Sequence, residues 1–140
     1  MTPHLKLSDD VEMVSFQGHL LAYVIRASFA PDETTFVTQP DFKQQVGYIV
    51  YAAGTEVARH VHVPLKRSIV GTSEVVIVRK GRCEVDIYTD EKELVTTREL
   101  RTGDVMLMVS GGHGFRMMED TILLEVKQGP YTGLEEKERF

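Results

Sequence analysis

The side chains best suited to metal chemistry are three histidines and a glutamate in the middle and later parts of the chain. His60 and His62 are two positions apart in a β-favouring segment that predicts a strand over residues 56–62. Because residues two apart lie on the same face of a strand, the two imidazoles would lie side by side. Glu74 follows, and His113 stands among glycines after a later apolar segment. Histidine is the commonest metal ligand, so this spacing predicts a metal site.

Three imidazole nitrogens and one carboxylate oxygen suit one divalent transition metal, with coordination positions left for water or substrate. Fe, Mn, Zn, Ni and Co all fit this ligand set, and the sequence does not choose among them. Glu56 would share the face of His60 and His62, so the carboxylate ligand is either Glu74 or Glu56. Only deprotonated imidazoles bind metal, so the metal affinity should fall below about pH 6.5.

Three further residues are candidates for contact with a substrate: Arg67, Lys127 and Tyr131. Arg67 lies in the segment between His62 and Glu74, where a guanidinium would bind a carboxylate or phosphate with two hydrogen bonds. Lys127 shares one face of the last predicted strand with Leu123 and Glu125. Either Lys127 or Glu125 points inward as an acid or base, or both belong to a surface ion pair. The opposite face, Ile122, Leu124 and Val126, is predicted to belong to the core. Tyr131 would lie at the rim, and the catalytic residues are not identified.

Short β-favouring segments separated by turn residues predict an all-β sandwich or barrel. Gly81 lies between two of these segments and indicates a hairpin. Residues 1–15 are expected to form a loose arm or an edge strand. The predicted strands are residues 20–29, 35–38, 48–52, 56–62, 74–79, 83–88, 94–100, 105–109 and 121–127.

Composition narrows the class of protein. A chain of 140 residues is expected to form one domain with a buried core. A net charge of −5 disfavours nucleic-acid binding, and no basic cluster indicates a membrane surface. With Cys83 as the one cysteine no intrachain disulfide can form, which is typical of a reducing cytoplasm. The apolar stretch 20–25 is too short to cross a bilayer, so we expect a cytoplasmic protein.

The pattern resembles the two motifs of the cupin superfamily over roughly residues 46–126. Eleven residues separate His62 from Glu74 where the first motif has a shorter gap, and Val109 and Met117 stand where the second motif has Pro and Asn. The resemblance implies a cupin-type double-stranded β-helix, a jelly-roll barrel. It would form a single domain over residues 1–140, with an N-terminal arm and strands (1–45), a core (46–127) and a C-terminal tail (128–140). The matching residues are Gly54, His60, His62, Glu74 and Gly81 in the first motif, and Gly103, Gly111 and His113 in the second.

Residues 45–47, 67–74 and 125–131 also look similar to small bacterial cupins associated with surface-polysaccharide or sugar-acid gene clusters. This resemblance implies a metal-binding protein that acts on a sugar, sugar phosphate or keto or carboxylic acid by isomerisation, epimerisation or oxygenation. The alternatives are a non-catalytic module that binds or senses a small metabolite, and a structural dimer scaffold. Because cupins often pair through sheet edges, the resemblance also implies a homodimer.

Overall fold

The computed structural model describes residues 8–133 and 136–140, and in these residues it contains β-strands and no helix. Every strand pairing is antiparallel, which confirms the predicted all-β class. No helix in the described part of the chain has the length and apolar character needed to cross a membrane. The strands are β1 Val11–Phe16, β2 His19–Ile25, β3 Thr35–Phe36, β4 Gly47–Tyr48, β5 Glu74–Lys80, β6 Arg82–Tyr88, β7 Leu94–Arg101, β8 Val105–Met108, β9 Gly112–Met117 and β10 Ile122–Lys127.

The described chain divides into two compact units. The first unit combines residues 8–29 with 72–133 and 136–140, and the second unit is Ala30–Gly71. The first unit holds a five-stranded sheet in the order β1-β2-β8-β5-β10 and a three-stranded sheet in the order β7-β6-β9. The second unit holds the two-stranded sheet β3-β4.

The core of the first unit joins apolar side chains from both of its sheets. Val76 and Met106 from the five-stranded sheet belong to one buried cluster with Val85 and Leu100 from the three-stranded sheet. Burial of Cys83, Val85 and Ile87 alternates with partial exposure along β6, which is the period of a strand with one face inward. Removal of this apolar surface from water is the main stabilising term. The arrangement is compatible with a β-sandwich.

Most predicted strands are confirmed, and the expected edge strand near the N-terminus is β1. The strand predicted over residues 20–29 ends at Ile25, and the strand predicted over residues 48–52 is wrong except at Tyr48, the second residue of β4. The strand predicted over residues 56–62 is wrong, because residues 49–73 form no regular secondary structure. A strand needs a neighbouring strand to form its backbone hydrogen bonds. In the described residues of the second unit, the only paired strands are β3 and β4, and each of them is two residues long. β9 was not predicted, since its glycines were interpreted as a break in the chain.

The hairpin predicted around Gly81 is also wrong, although the turn itself is present. β5 pairs with β8 and β10, whereas β6 pairs with β7 and β9, so the two strands on either side of Gly81 belong to different sheets. Both strands contribute buried side chains to the same core cluster. The chain therefore turns a corner at Gly81 and passes from one side of the core to the other.

The two faces of β10 are the reverse of the prediction. Ile122, Leu124 and Val126, expected in the core, are 56%, 46% and 46% exposed. Leu123 packs against the core cluster instead. The reason is the register with β5, which sets Leu123 opposite Val78 and Glu125 opposite Val76, and residues opposite each other share a face. Glu125 and Lys127 therefore lie on the same face as Leu123, the inward face of the sheet, although both remain exposed.

A bidentate ion pair links the two sheets at the β1–β7 side of the first unit. Arg98 Nε and Nη2 donate to Glu12 Oε1 and Oε2 at 2.8 and 2.7 Å. The hydrogen bond from Arg98 lowers the pKa of Glu12 below its ordinary value of 4.5. The pair therefore contributes its full stability above about pH 4.5, and that contribution is lost as the pH falls through the lower folded-state pKa.

Arg98→Met should lower the free energy of unfolding at pH 7 by about 0.5–1 kcal/mol, since both partners are about one-third exposed. The loss should shrink in strongly acidic solution, where Glu12 is protonated in the folded and unfolded states. Urea denaturation at both pH values measures this difference, with Lys80→Met, at an exposed position, as the control. An equal loss at neutral and acidic pH would contradict the role of the ion pair.

Candidate functional site

Two of the predicted metal ligands meet between the sheets of the first unit. Glu74 begins β5 and lies on the same face as the core residues Val76 and Val78, so its carboxyl group points inward and is buried. His113 lies on β9 opposite Ile87, a core residue of β6. His113 Nε2 and Glu74 Oε2 are 3.5 Å apart. The structure thus brings together a histidine and a glutamate that are 39 residues apart in the sequence.

The inward face of β10 adds two charged groups to this pair. Lys127 lies opposite Glu74 in the ladder, and Glu125 lies opposite Val76. The Glu125 side chain lies close enough to Glu74 to act on its pKa. Burial, and then the contact with Glu125, raise the pKa of Glu74 above its ordinary value.

The imidazole of His113 lies in a partly apolar environment. The ring of Phe115 meets it edge to face, with 5.7 Å between the ring centroids. Burial is the largest influence and lowers the pKa of His113, while Glu125 acts in the opposite direction and Lys137 lowers it further. A histidine with a lowered pKa is neutral at pH 7 and keeps one nitrogen lone pair available.

His60 and His62 lie in the second unit, where both are exposed. Although this segment is not a strand, their rings lie side by side with centroids 5.3 Å apart. His60 Nδ1 lies 2.8 Å from the carbonyl oxygen of Ala58, and since a carbonyl only accepts, Nδ1 is the donor. In the neutral ring this leaves the Nε2 lone pair free, which is how metal-binding histidines are commonly oriented. Glu56, the alternative carboxylate ligand, is exposed in the same segment.

The predicted substrate residues are found in different places. Lys127 belongs to the inward face that carries Glu74, as described above. Arg67 is an exposed residue of the second unit. Tyr131 follows β10 in the first unit and is 93% exposed. Within the first unit, the structure therefore brings Lys127, and not Tyr131, to the face of the sheet on which Glu74 lies.

The Glu74–His113 pair fits a divalent transition metal in both chemistry and spacing. Two ligand atoms that are each about 2.1 Å from one ion lie roughly 3.0–3.4 Å apart at tetrahedral or octahedral angles. The observed 3.5 Å is close to this separation. Among residues 8–133 and 136–140, no three His, Cys, Asp or Glu side chains are grouped closely enough to hold an ion. Within these residues, Glu74 and His113 are therefore two side chains that could bind one ion.

Two residues of this region were missed by sequence reasoning. Phe115 would have been found if β9 had been recognised as a strand, since it is two positions from His113 and must share its face. Lys137, whose charge acts on both Glu74 and His113, lies in the segment interpreted as a tail. No local sequence pattern distinguishes Lys137 from its charged neighbours.

Comparison with known proteins does not assign the chain to a family. No family model, no curated protein and no solved structure matches the chain.

Proposed function

We propose that this protein is a cupin-like, metal-binding protein with a small polar molecule as its substrate, and that Glu74 and His113 are two of the metal ligands. His60 and His62 are the other two ligands of the proposal, on the basis of the His-x-His motif and the orientation of the His60 ring. The substrate class is a sugar, a sugar phosphate or a keto or carboxylic acid. The reaction class is isomerisation, epimerisation or oxygenation, in the cytoplasm and in a homodimer.

The single observation that carries this proposal is the contact between His113 Nε2 and Glu74 Oε2 at 3.5 Å. Its two partners come from opposite sheets and point into the space between them, next to apolar side chains such as Phe115 and Met108. Small-molecule sites are typically concave, mostly apolar and provided with a few convergent polar groups. The jelly-roll form of the fold is part of the same proposal, supported by the two packed antiparallel sheets.

The residues of the chain have distinct tasks in this proposal. A divalent ion, when bound, would supply Lewis-acid chemistry toward a substrate oxygen. Glu74 and His113 would hold that ion, and Lys127 would contact a negatively charged group of the substrate. Glu125, on the strand paired with that of Glu74, is the candidate for taking up or releasing a proton in the reaction. Phe115 would exclude water from one side of the imidazole.

A second candidate function is a metal-free protein that binds or senses a small metabolite. The position of Glu125 and Lys127 on β10 beside Glu74 favours it, because carboxyl and ammonium groups can accept from and donate to a polar ligand without an ion. The two candidates differ in metal content and in turnover. A sensor returns its ligand unchanged, whereas an enzyme converts it.

The test is the metal content of protein purified without chelator and without a nickel column. We expect about one divalent ion per chain in the native protein. His113→Ala and Glu74→Gln should each lower the metal affinity at least tenfold, since loss of a ligand costs more than the roughly 10–100-fold loss seen when a residue hydrogen bonded to a ligand is changed. Elemental analysis gives the content, and Co²⁺ or Zn²⁺ titration gives the affinity.

Matched controls are His19→Ala and Glu91→Gln, which change exposed residues of the same types. The double variant His60→Ala with His62→Ala should lose the same single equivalent of metal. If that variant keeps its metal while His113→Ala loses it, the ion belongs to the Glu74–His113 cluster alone. Unchanged metal content in both His113→Ala and Glu74→Gln would refute the metal proposal and leave the sensor.

A further inference from the structure

Residues 56–63, the exposed segment, carry the side chains of a strand but form no strand in the single chain. Val57, Val61 and Val63 occupy odd-numbered positions, which share one face when a chain is extended. All three valines are exposed, and Val61 is 87% exposed. Residues 49–73 contain no regular secondary structure. Because monomeric proteins rarely leave a contiguous apolar patch in water, the segment has the character of an interaction surface.

The strand β9 offers an open edge to such a segment. The three-stranded sheet has the order β7-β6-β9, so β9 pairs with β6 on one side and with no strand of the described residues on the other. Met117 lies opposite the buried Cys83 and therefore faces inward, yet it is 50% exposed. His113 lies on the same face, and its side chain is 31% exposed. The inward face of β9 is therefore incompletely covered at this edge.

The exposed segment matches this edge in length and in the faces of its side chains. It has eight residues, and β9 has six. With its valines on the outer face, His60 and His62 would lie on the inward face that carries His113. Residues directly opposite each other on neighbouring strands have Cβ atoms about 5 Å apart, which is within reach of one shared ion. An added strand would therefore bring two further imidazoles beside His113.

The ligand count favours a second copy of the chain as the source of that strand. In the described part of one chain, no three His, Cys, Asp or Glu side chains are grouped closely enough to hold an ion. Glu74 lies on β5, an interior strand, so β9 is the edge from which a strand reaches the Glu74–His113 pair most directly. Exchange of an identical segment between two copies completes both sites at once, which is a common route to symmetric dimers.

The charges of the two surfaces are also complementary. From Arg59 to Arg67 the chain has three basic residues and no acidic one, whereas the whole chain has a net charge of −5. Glu119 and Asp120, both exposed, connect β9 to β10 at the end of the open edge. Opposite charges on two surfaces speed their encounter and disfavour wrong partners. The basic stretch is therefore suited to the acidic surface of a second copy.

We propose that residues 56–63 of each protomer add as a strand to the open edge of β9 in a second copy. Main-chain hydrogen bonds to β9 would give this contact its affinity, as in other cases of strand addition to a sheet edge. Each site then holds Glu74 and His113 from one protomer and His60 and His62 from its partner. The assignment of these four side chains as metal ligands rests on the proposed function, whereas the strand addition does not.

The first test is the effect of proline on the dimer, measured by sedimentation of the full chain over a range of concentrations. Ala58→Pro with Val61→Pro should raise the dimer dissociation constant at least about a hundredfold, because proline cannot donate to a ladder. Successive N–H groups of a strand point to opposite sides, so one of these two positions faces β9 in any register. Both positions are exposed and lie outside regular structure, so the single chain should keep its native resistance to urea.

Arg67→Pro with Val70→Pro is the matched control. It introduces two prolines at the same spacing, at exposed positions of the same irregular stretch but outside the exposed segment. This variant should dimerise like the native protein. A native protein that sediments as a monomer would overturn the proposal, and so would a dimer that Ala58→Pro with Val61→Pro leaves unchanged.

The second test asks whether one site draws its ligands from two chains. His113→Ala and the double variant His60→Ala with His62→Ala should each lose their metal when studied alone. Refolded together in equal amounts, they form mixed dimers in which one of the two sites has all its ligands. Because random pairing makes half of the dimers mixed, the sample should regain about a quarter of the native metal content.

No recovery of metal in this mixture, when the native protein holds metal, would mean that each site takes its histidines from one chain, and it would overturn the proposal. Absence of metal from every sample, the native protein included, would refute the proposed function instead. The proline comparison then decides the strand addition by itself, since it depends on the dimer and not on the ion.

Discussion

Asp104→Ala should reduce the free energy of unfolding by about 3 kcal/mol, because it removes three hydrogen bonds to one buried carboxylate. Asp104 Oδ1 accepts from the backbone N–H of Ala27 at 2.8 Å. Oδ2 accepts from the backbone N–H of Arg101 at 2.8 Å and from Arg26 Nη1 at 3.1 Å. Asp104 lies in the turn between β7 and β8, immediately before β8. Its carboxylate therefore connects this turn with the residues that follow β2. Two backbone donors would be left without this partner in the variant.

Urea denaturation of the native protein and the variant measures the effect. Asp104→Asn keeps one acceptor oxygen, so it should cost about half as much as Asp104→Ala. Asp32→Ala, at an exposed position, is the control and should stay within about 0.5 kcal/mol of the native protein. A loss below about 1 kcal/mol for Asp104→Ala would contradict the view that this carboxylate organises the turn.

Gly81→Ala should cost about 3 kcal/mol or more, because two separate penalties combine at this corner. Gly81 has φ of 87°, a conformation that residues with a Cβ rarely adopt. A Cβ there would also lie 2.4 Å from the backbone carbonyl oxygen of Asp120. Backbone cannot move aside as the end of a flexible side chain can. The corner that carries the chain from β5 to β6 would therefore have to shift.

Gly18→Ala is the matched comparison for this prediction. Gly18 has a similar φ of 79°, but nothing lies within 4 Å of the position that its Cβ would take. Gly18→Ala should therefore show only the conformational penalty, about 1 kcal/mol. The difference between the two variants in urea denaturation isolates the steric contact with Asp120. If both variants lost the same free energy of unfolding, the backbone around Gly81 would have adjusted and the contact with Asp120 would not destabilise Gly81→Ala.

Much of the first unit was predictable because its strands carry a strong period-two pattern. The ends of β5 and β6 were predicted to within a residue or two. Apolar residues form a continuous run in β5 and alternate along β6. β9 was missed because Gly112 and Gly114 interrupt any pattern there. Residues 56–62 carried the pattern of a strand but form none, since a strand also requires a neighbour with free hydrogen-bonding groups.

The candidate site, like the fold, was predictable only in part. Glu74 and His113 were identified from residue type and spacing, and within the first unit the structure brings them to 3.5 Å. The sequence makes Glu125 a candidate acid or base, yet its place beside Glu74 depends on the β5–β10 register. Lys137 could not have been selected, because its place follows from contacts of Phe140 and Glu138 with distant residues.

By itself the sequence determined the all-β class, most of the strands and the residue types that can bind a metal, because these depend on local periodicity and on side-chain chemistry. Only the tertiary structure decided which sheet each strand joins and which face of β10 points inward. Alternation shows that a strand has two different faces, but burial of one of them depends on the register with a partner strand. That register set Glu125 and Lys127 on the same face of the sheet as Glu74 and put Leu124 on the opposite, exposed face.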